Sequence, residues 1–163
     1  SKSMADDKRG KIQMTLKDGV VVIETRPDVA PKHVDQIKKL ISEGQYDGVV
    51  FHRVIEGFMA QTGDGQNQDG TGGSDYPDLQ SEFNDVKHER GVVSMARAAS
   101  PHSANSQFFI CFSDQPHLDG QYTAFGKVLK GMEVIDNVKR GALGSGSVES
   151  PDVIEKAYVL SDA

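Results

Sequence analysis

Hydrophobic and polar residues alternate near the start of the chain, which predicts a pair of β-strands. Ile12, Met14 and Leu16 are separated by polar residues, and Asp18-Gly19 leads into the apolar run from Val20 to Ile23. Alternation with a period of two is typical of a half-buried strand, and Asp-Gly is a common hairpin turn. We therefore expect an antiparallel hairpin at the start of the domain.

The apolar residues then change to a helical spacing. Between Ala30 and Glu43 they recur every three or four positions, with Pro31 near the first turn and Gly44 just after the end. Proline at the start and glycine past the end are typical of an α-helix, here with one face in the core. A shorter pattern from Met132 to Val138 predicts a second helix.

The remaining apolar segments are short and typical of further strands. They are Val49 to Ile55, Phe58 to Thr62, Gly91 to Ala98, Ser106 to Phe112, Phe125 to Val128 and Val153 to Leu160. The segment from Gly63 to Gln80 is rich in Gly, Asp and Asn and is predicted to be a long, flexible surface loop. About eight short strands and two helices favour a β-sandwich or a closed barrel, and periodicity alone leaves both open.

The length of 163 residues predicts one domain. We assign it to residues 10–163 and interpret residues 1–9 as a flexible extension or the remnant of an expression tag. The formal net charge of -6 is spread along the chain, and the short basic cluster at Lys8, Arg9 and Lys11 is too small for a nucleic-acid interface. We therefore expect no nucleic-acid partner.

The single cysteine, Cys111, excludes an internal disulfide and fits a reducing compartment. No apolar run approaches the roughly 18 residues that a membrane span requires, and the first residues lack the apolar segment of a signal peptide. We expect a soluble, cytoplasmic monomer with no membrane partner.

Several common catalytic motifs are missing from the sequence. The five histidines form no HExxH or H-x-E pair, and CxxC, GxSxG and GxxxxGK[ST] do not occur. The glycines around Asp64 and from Gly70 to Gly73 do not lead into a helix whose N-terminus would hold a phosphate. We therefore expect no metal and no cofactor.

The densest candidate segment is FHRVIEGFMAQ, residues 51–61. Strand alternation predicts that Phe51, Arg53 and Ile55 share one face, so an arginine would lie among apolar side chains. Such an arginine pairs with a carboxylate, extends to solvent or serves a binding site, and the pattern leaves these alternatives open. Met59 and Gln61 share a face of the next strand, either in a binding site or at its rim.

The segment SQFFICF, residues 106–112, carries phenylalanine on both faces of a predicted strand. One face would lie in the core and the other would line a hydrophobic groove, although core packing alone also explains the pattern. A hydrolase that uses Ser94 or Ser106 with His52 or His117 is a further alternative, which no nucleophile motif supports.

Together these segments closely resemble the cyclophilins, a family of peptidyl-prolyl isomerases. FHRVIEGFMAQTGD is similar to the family signature, NSQFFI to its SQFFI strand, and GTGG, LDG and FGKV occur in the family's order. The resemblance extends from about Gly10 to Leu160 and is nearest to the short bacterial-type members. It implies a mainly β fold, a closed eight-stranded antiparallel β-barrel capped by two α-helices, with the active site in a groove on the outside.

The resemblance also implies a role for individual residues in catalysing the cis–trans isomerisation of X-Pro bonds. Arg53 matches the catalytic arginine, Gln61 the residue that hydrogen-bonds the substrate backbone, and Phe58 completes the catalytic set. The remaining walls of the proline pocket and the groove match Met59, Phe109, Leu118, His52, Ala96, Arg97, Ala98 and Gln107. The expected partners are proline-containing polypeptides, whose folding the enzyme would assist.

Two positions in the groove depart from the best-known eukaryotic pattern. His117 stands where those members carry tryptophan, and Tyr122 where they carry histidine. We expect isomerase activity to survive these changes and cyclosporin to bind with weakened affinity, since that tryptophan contacts the drug. The alternative from another functional class is a proline-binding or chaperone-like module that keeps the groove without catalysis.

Overall fold

The computed structural model describes residues 10–161 of the chain, so the predicted extension over residues 1–9 lies outside them. The described residues form ten strands, two α-helices and a 3-10 turn at Pro116–Leu118. The strands are β1 (Lys11–Leu16), β2 (Gly19–Thr25), β3 (Val49–Val50), β4 (Arg53–Ile55), β5 (Met59–Thr62), β6 (Val92–Met95), β7 (Phe108–Cys111), β8 (Ala124–Lys130), β9 (Val153–Ile154) and β10 (Lys156–Ser161). The helices are α1 (Pro31–Ser42) and α2 (Met132–Asp136).

The first hairpin and both helices are confirmed. Leu16 pairs with Gly19, so the two-residue turn begins at Lys17, one position earlier than the Asp-Gly pattern predicts. Pro31 is the first residue of α1, and Gly44 follows its end with a φ of +75°. The buried face of this helix consists of His33, Val34, Gln36, Ile37, Leu40 and Ile41.

Eight of the strands form one antiparallel sheet in the order β10-β1-β2-β8-β6-β7-β5-β4. The inner face of this curled sheet and the buried faces of the helices enclose the main core. Phe51, Phe108 and Phe125 are among its largest members, and each is at most 2% exposed. The mainly β fold with two helices is therefore confirmed.

The closed barrel is the part of the predicted fold that is not confirmed. Within residues 10–161 the end strands β4 and β10 do not pair with each other, and the only ladder nearby is a separate two-residue pairing of β3 with β9. The outer edge of β4 is occupied instead by a loop, because Val54 N–H donates to Gly146 O and Gly141 N–H donates to Val54 O. The sheet is therefore strongly curled but open at this seam.

The two faces of β7 are used as predicted. Phe108 lies in the main core, whereas Phe109 lies in a second apolar cluster with Met59, Cys111 and Leu118 on the outside of the sheet. The second cluster forms the base of the site described below.

Phe51 is an exception to the predicted alternation. It packs in the main core with Val54 and does not share a face with Arg53, because residues 51–52 leave the strand before β4 begins.

Candidate active site

Arg53 and Gln61 are directly opposite each other on β4 and β5. Arg53 Nη1 donates a hydrogen bond to Gln61 Oε1 at 3.3 Å, and Arg53 Nε donates to Ser145 O at 3.1 Å. Among the described residues, Arg53 Nη2 has no protein partner. The predicted arginine is thus neither paired with a carboxylate nor free in solvent, and one of its terminal nitrogens remains available to a ligand.

The loop that supplies the Ser145 carbonyl spans residues 141–147 and follows α2. Gly146 has a φ of +77°, and a Cβ at this position would lie 2.6 Å from Ile55 Cγ1. Only glycine therefore allows the loop to approach β4 this closely. The loop fixes the guanidinium from the side opposite to Gln61.

A small cavity of about 130 Å³ opens beside this guanidinium. It is lined by Arg53, Phe58, Met59, Gln61, Ala96, Arg97, Phe109, Leu118 and Tyr122. Its base is apolar and deeply buried, since Met59, Phe109 and Leu118 are between 1% and 6% exposed. An apolar pocket beside one polar donor is suited to a small apolar ring next to a polar bond.

A second cavity of about 410 Å³ lies next to the first and shares Gln61, Ala96 and Arg97 with it. Ala98 and Gln107 also line this larger cavity, together with the glycine-rich loop between residues 70 and 73. The structure therefore brings nearly all the predicted groove residues to one continuous surface.

His52 and His117 line neither cavity among the described residues. His117 is exposed at the rim, where its ring lies 5.8 Å from that of Phe58. His52 is only 8% exposed and lies behind Gly70, and neither of its ring nitrogens has a partner among the described residues. Burial lowers the pKa of His52, although the nearby Asp64 carboxylate opposes this.

The glycine-rich loop, which its composition predicts to be flexible, is held by a buried carboxylate. Asp64 is 0% exposed and accepts hydrogen bonds from backbone N–H groups of residues 66, 67, 69, 70 and 72 at 2.8–3.2 Å. Burial raises the pKa of Asp64, but these backbone donors outweigh it and lower the pKa to about 2. The loop thus forms a defined wall of the larger cavity.

Behind the proline-sized pocket, His88 connects Ser94 and Asp119. In the neutral ring, Nδ1–H donates to Asp119 Oδ1 at 3.0 Å and Nε2 accepts from Ser94 Oγ at 2.8 Å. Burial lowers the pKa of His88, although the hydrogen bond to Asp119 opposes this. Ser94 is 0% exposed, so this arrangement does not present a nucleophile to solvent.

The hydrolase alternative is not supported by these positions. Ser94 pairs with His88 and not with His52 or His117, and Ser106 Oγ donates to Gly63 O at 2.6 Å.

The His88 ring supports the pocket instead. It stacks on Phe109 with a centroid separation of 6.2 Å and an interplanar angle of 19°. Phe109 in turn meets the edge of Tyr122 at 5.8 Å. Asp119, which follows Leu118 in the pocket wall, also accepts the backbone N–H of His88 at 2.7 Å. The pocket wall is thereby connected to β6 and β7.

Sequence reasoning missed Ser145, Asp64, His88 and Asp119. Ser145 acts through its backbone carbonyl, so its side chain gives no signal, and only the glycines around it mark the loop. Asp64 and His88 resemble ordinary polar residues until the fold buries them. Within residues 10–161, no cluster of three or more His, Cys, Asp or Glu is placed to hold a metal ion, and no helix there is long and apolar enough to cross a bilayer.

Comparison with known proteins identifies the class to which this fold and groove belong. The family model described as cyclophilin type peptidyl-prolyl cis-trans isomerase/CLD matches residues 11–159. The chain therefore belongs to the cyclophilin-type peptidyl-prolyl cis-trans isomerases, and it is an isomerase.

Among relatives, the chain is similar to a probable peptidyl-prolyl cis-trans isomerase of Brucella abortus (strain 2308), with 54% identity over 97% of this chain and 86% of that protein. It is also similar to peptidyl-prolyl cis-trans isomerase B of Bacillus subtilis (strain 168), with 44% identity over 77% of this chain and 88% of that protein.

Two solved structures share the fold with a TM-score of 0.84. The cyclophilin AquaCyp293 from Hirschia baltica is 29% identical and covers 96% of this chain and 76% of its own. A cyclophilin-type isomerase from Cryptosporidium parvum, crystallised in the presence of the dipeptide Ala-Pro, is 30% identical and covers 93% of this chain and 99% of its own. The resemblance seen in the sequence motifs is thereby confirmed.

Proposed function

We propose that this enzyme isomerises X-Pro bonds in polypeptides without a covalent intermediate, using Arg53 as the donor to the twisted amide. The main observation in support is the geometry of the Arg53 guanidinium. Nε and Nη1 are occupied by Ser145 and Gln61, and Nη2 has no partner among the described residues, beside a pocket large enough for a prolyl ring.

The chemistry of the amide explains why such a donor would accelerate rotation. In the planar ground state the prolyl nitrogen shares its lone pair with the carbonyl, and the barrier to rotation is about 18–20 kcal/mol. In the twisted transition state the nitrogen becomes pyramidal and its lone pair can accept a hydrogen bond. A donation from Arg53 is therefore realised only in the transition state, which is the condition for raising kcat.

The size of this contribution can be compared with what catalysis requires. A charge-assisted hydrogen bond contributes about 1.5–3 kcal/mol, which corresponds to roughly ten- to a hundredfold in rate. The remainder comes from removing water around the polar amide and from holding the prolyl ring while the preceding carbonyl turns. Phe58, Met59, Phe109 and Leu118 provide the apolar surface for both effects.

The experiment is the cis–trans exchange rate of an Ala-Pro peptide, measured by NMR at a sub-stoichiometric enzyme concentration. We expect rapid exchange with wild type, a loss of at least about tenfold in kcat with Arg53→Ala, and a nearly unchanged Kd for the peptide. Arg26→Ala is the matched control, because Arg26 pairs with Asp28 on the surface and lines neither cavity.

The proposal fails if Arg53→Ala lowers affinity and kcat by the same factor. A protein that binds the peptide without accelerating exchange would support the alternative of a proline-binding module. The interaction of Arg53 with Gln61 favours catalysis over binding alone, because the two residues line the same pocket and hydrogen-bond to each other there.

We also propose a role in assisting protein folding in the cytoplasm, with unfolded or flexible proline-containing segments as substrates. X–Pro bonds isomerise over tens to hundreds of seconds and can limit folding, so a catalyst of this step would relieve a slow phase. For cyclosporin we propose weakened affinity, because the exposed His117 and the half-buried Tyr122 replace the residues of the best-known members.

A further inference from the structure

Three hydrogen-bonded side chains connect the glycine-rich loop to the arginine of the active site. Gln107 Nε2 donates to Gly70 O at 2.9 Å and to Gly72 O at 2.8 Å. Gln107 Oε1 accepts from Gln61 Nε2 at 2.9 Å, and Gln61 Oε1 accepts from Arg53 Nη1 at 3.3 Å. The four hydrogen bonds form one continuous chain.

The direction of this chain is determined at its loop end. A backbone carbonyl can only accept a hydrogen bond, so Gln107 must present its NH2 group to Gly70 and Gly72. Its oxygen then faces Gln61, which must present its own NH2 group in return. Consequently the oxygen of Gln61 faces Arg53, whose guanidinium can only donate. Reversing either amide would place two donors or two acceptors in contact.

The two carbonyls are themselves held in place. Asp64 Oδ2 accepts the N–H groups of Gly70 at 2.9 Å and Gly72 at 3.0 Å, and the carboxylate is fully buried. A Cβ at residue 72 would lie 2.4 Å from Asp64 Oδ1, so the backbone approaches the carboxylate as closely as glycine allows. The acceptors that orient Gln107 therefore have fixed positions.

We propose that Gln107 is a positioning residue, which sets the orientation of the Gln61 amide and through it the position of the Arg53 guanidinium. This assignment rests on the proposed function and replaces a direct role for Gln107 in holding substrate. It predicts that the direction of the hydrogen bonds at residue 107, and not only the shape of the side chain, controls kcat.

The variant Gln107→Glu changes the direction of the hydrogen bonds at residue 107 with almost no change in the shape of the side chain. An ionised carboxylate only accepts, so it would face two carbonyl oxygens and lose the donation to the loop. Protonation restores one O–H donor, enough for one of the two loop carbonyls, and leaves one carbonyl oxygen to accept from Gln61. The pKa of an ordinary glutamic acid is about 4.3, and the neighbouring carbonyl oxygens raise it.

We therefore expect kcat of Gln107→Glu to fall about tenfold at pH 7.5, with a smaller change in KM, and to recover in part as the pH is lowered towards 5. Gln107→Met has the same length and no titratable group, so its kcat should be reduced at both pH values. Gln13→Glu, on β1 and away from both cavities, controls for the added charge.

Other titratable and charged groups surround residue 107. His52 lies against Gly70, Asp64 accepts a hydrogen bond from the loop, Asp69 directly precedes it, and Arg53 is two hydrogen bonds away. Arg97 and Asp78 line the cavity that Gln107 also lines. All of these are present in wild type and in Gln107→Met, so their titration is removed by comparing the three proteins.

A second readout is independent of activity. The Arg53 Nε–H resonance in the 15N NMR spectrum should shift with pH in Gln107→Glu, with the same midpoint as the recovery of kcat, and should lack this transition in Gln107→Met. Wild-type kcat in Gln107→Met, or parallel pH profiles of Gln107→Glu and Gln107→Met, would overturn the proposal. If wild type fails to accelerate exchange while the resonance still titrates, the proposed function falls and the positioning role of Gln107 stands.

Discussion

The Arg97 guanidinium lies over the ring of Tyr122, 4.6 Å from its centroid. The same guanidinium donates to the backbone oxygens of Gln121 at 2.8 Å and Ala98 at 3.0 Å. Because Tyr122 lines the smaller cavity and Ala98 the larger one, Arg97 joins the two loops that border the groove. It holds the tyrosine wall of the pocket in place.

Arg97→Ala should weaken binding of an Ala-Pro peptide by about twofold to thirtyfold, as expected for loss of a cation–π contact of about 0.5–2 kcal/mol. Isothermal titration or NMR line shifts measure the Kd. Arg140→Ala is the matched control, since Arg140 lies 4.3 Å from the Phe112 ring and lines neither cavity. Equal peptide affinity in wild type and Arg97→Ala would contradict this role.

Phe109→Ala should reduce both peptide affinity and the free energy of unfolding, because the same ring lines the pocket and packs against its apolar neighbours. The ring is 4% exposed, and truncation of a buried phenylalanine costs about 3–5 kcal/mol. Urea unfolding and peptide titration measure the two effects. Phe108→Ala, in the main core, should lower stability while the folded fraction keeps its affinity for the peptide. An equal loss of peptide affinity in Phe108→Ala and Phe109→Ala would contradict a specific role of Phe109 in the pocket.

Cyclosporin sensitivity should respond to the rim of the pocket. His117 is exposed beside Phe58, so His117→Trp adds a large aromatic surface without disturbing the core. We expect a lower Kd for the drug than in wild type, measured by fluorescence titration, with little change in the peptide exchange rate. Tyr158→Trp, at an exposed position on β10, controls for the added tryptophan. No gain with His117→Trp would show that another position limits the drug.

Acid should destabilise the protein in part through Asp64. Its folded pKa of about 2 lies below the ordinary value of 3.8, so its contribution is fully present above pH 3.8 and is lost as the pH falls through 2. The shift corresponds to about 2 kcal/mol. Urea unfolding from pH 5 to pH 2 should show this loss in wild type and in the exposed control Asp85→Asn, whereas Asp64→Asn should lack it. A parallel decline in all three would refute the role of Asp64.

Much of the fold was predictable because its strands and helix carry clear periodicity. The hairpin, α1 and the division of Phe108 and Phe109 between two apolar clusters follow from local patterns. The open seam does not, because it depends on a loop near residue 146 that reaches β4 from more than 80 positions away. Phe51 shows the same limit, since a two-residue break in a strand reverses the face of a side chain.

The site shows a similar division. The motif resemblance predicts the roles of Arg53, Gln61 and the pocket walls, whereas strand alternation alone leaves their purpose open. The roles of Asp64 and Ser145 are not predictable from the sequence, because they depend on hydrogen bonds with backbone groups, which every residue has. His52 matched a groove position in sequence but lies behind the glycine-rich loop in the structure.

The open seam of the sheet has a consequence for how this enzyme can vary. Exposed strand edges attract unpaired strands of other chains, and here the loop of residues 141–147 covers the edge of β4 by hydrogen bonding to Val54. The same loop holds Arg53 through the Ser145 carbonyl. The same loop therefore both covers the strand edge against aggregation and aligns the guanidinium of Arg53. An insertion in this loop would expose the edge of β4 and displace Arg53 at the same time.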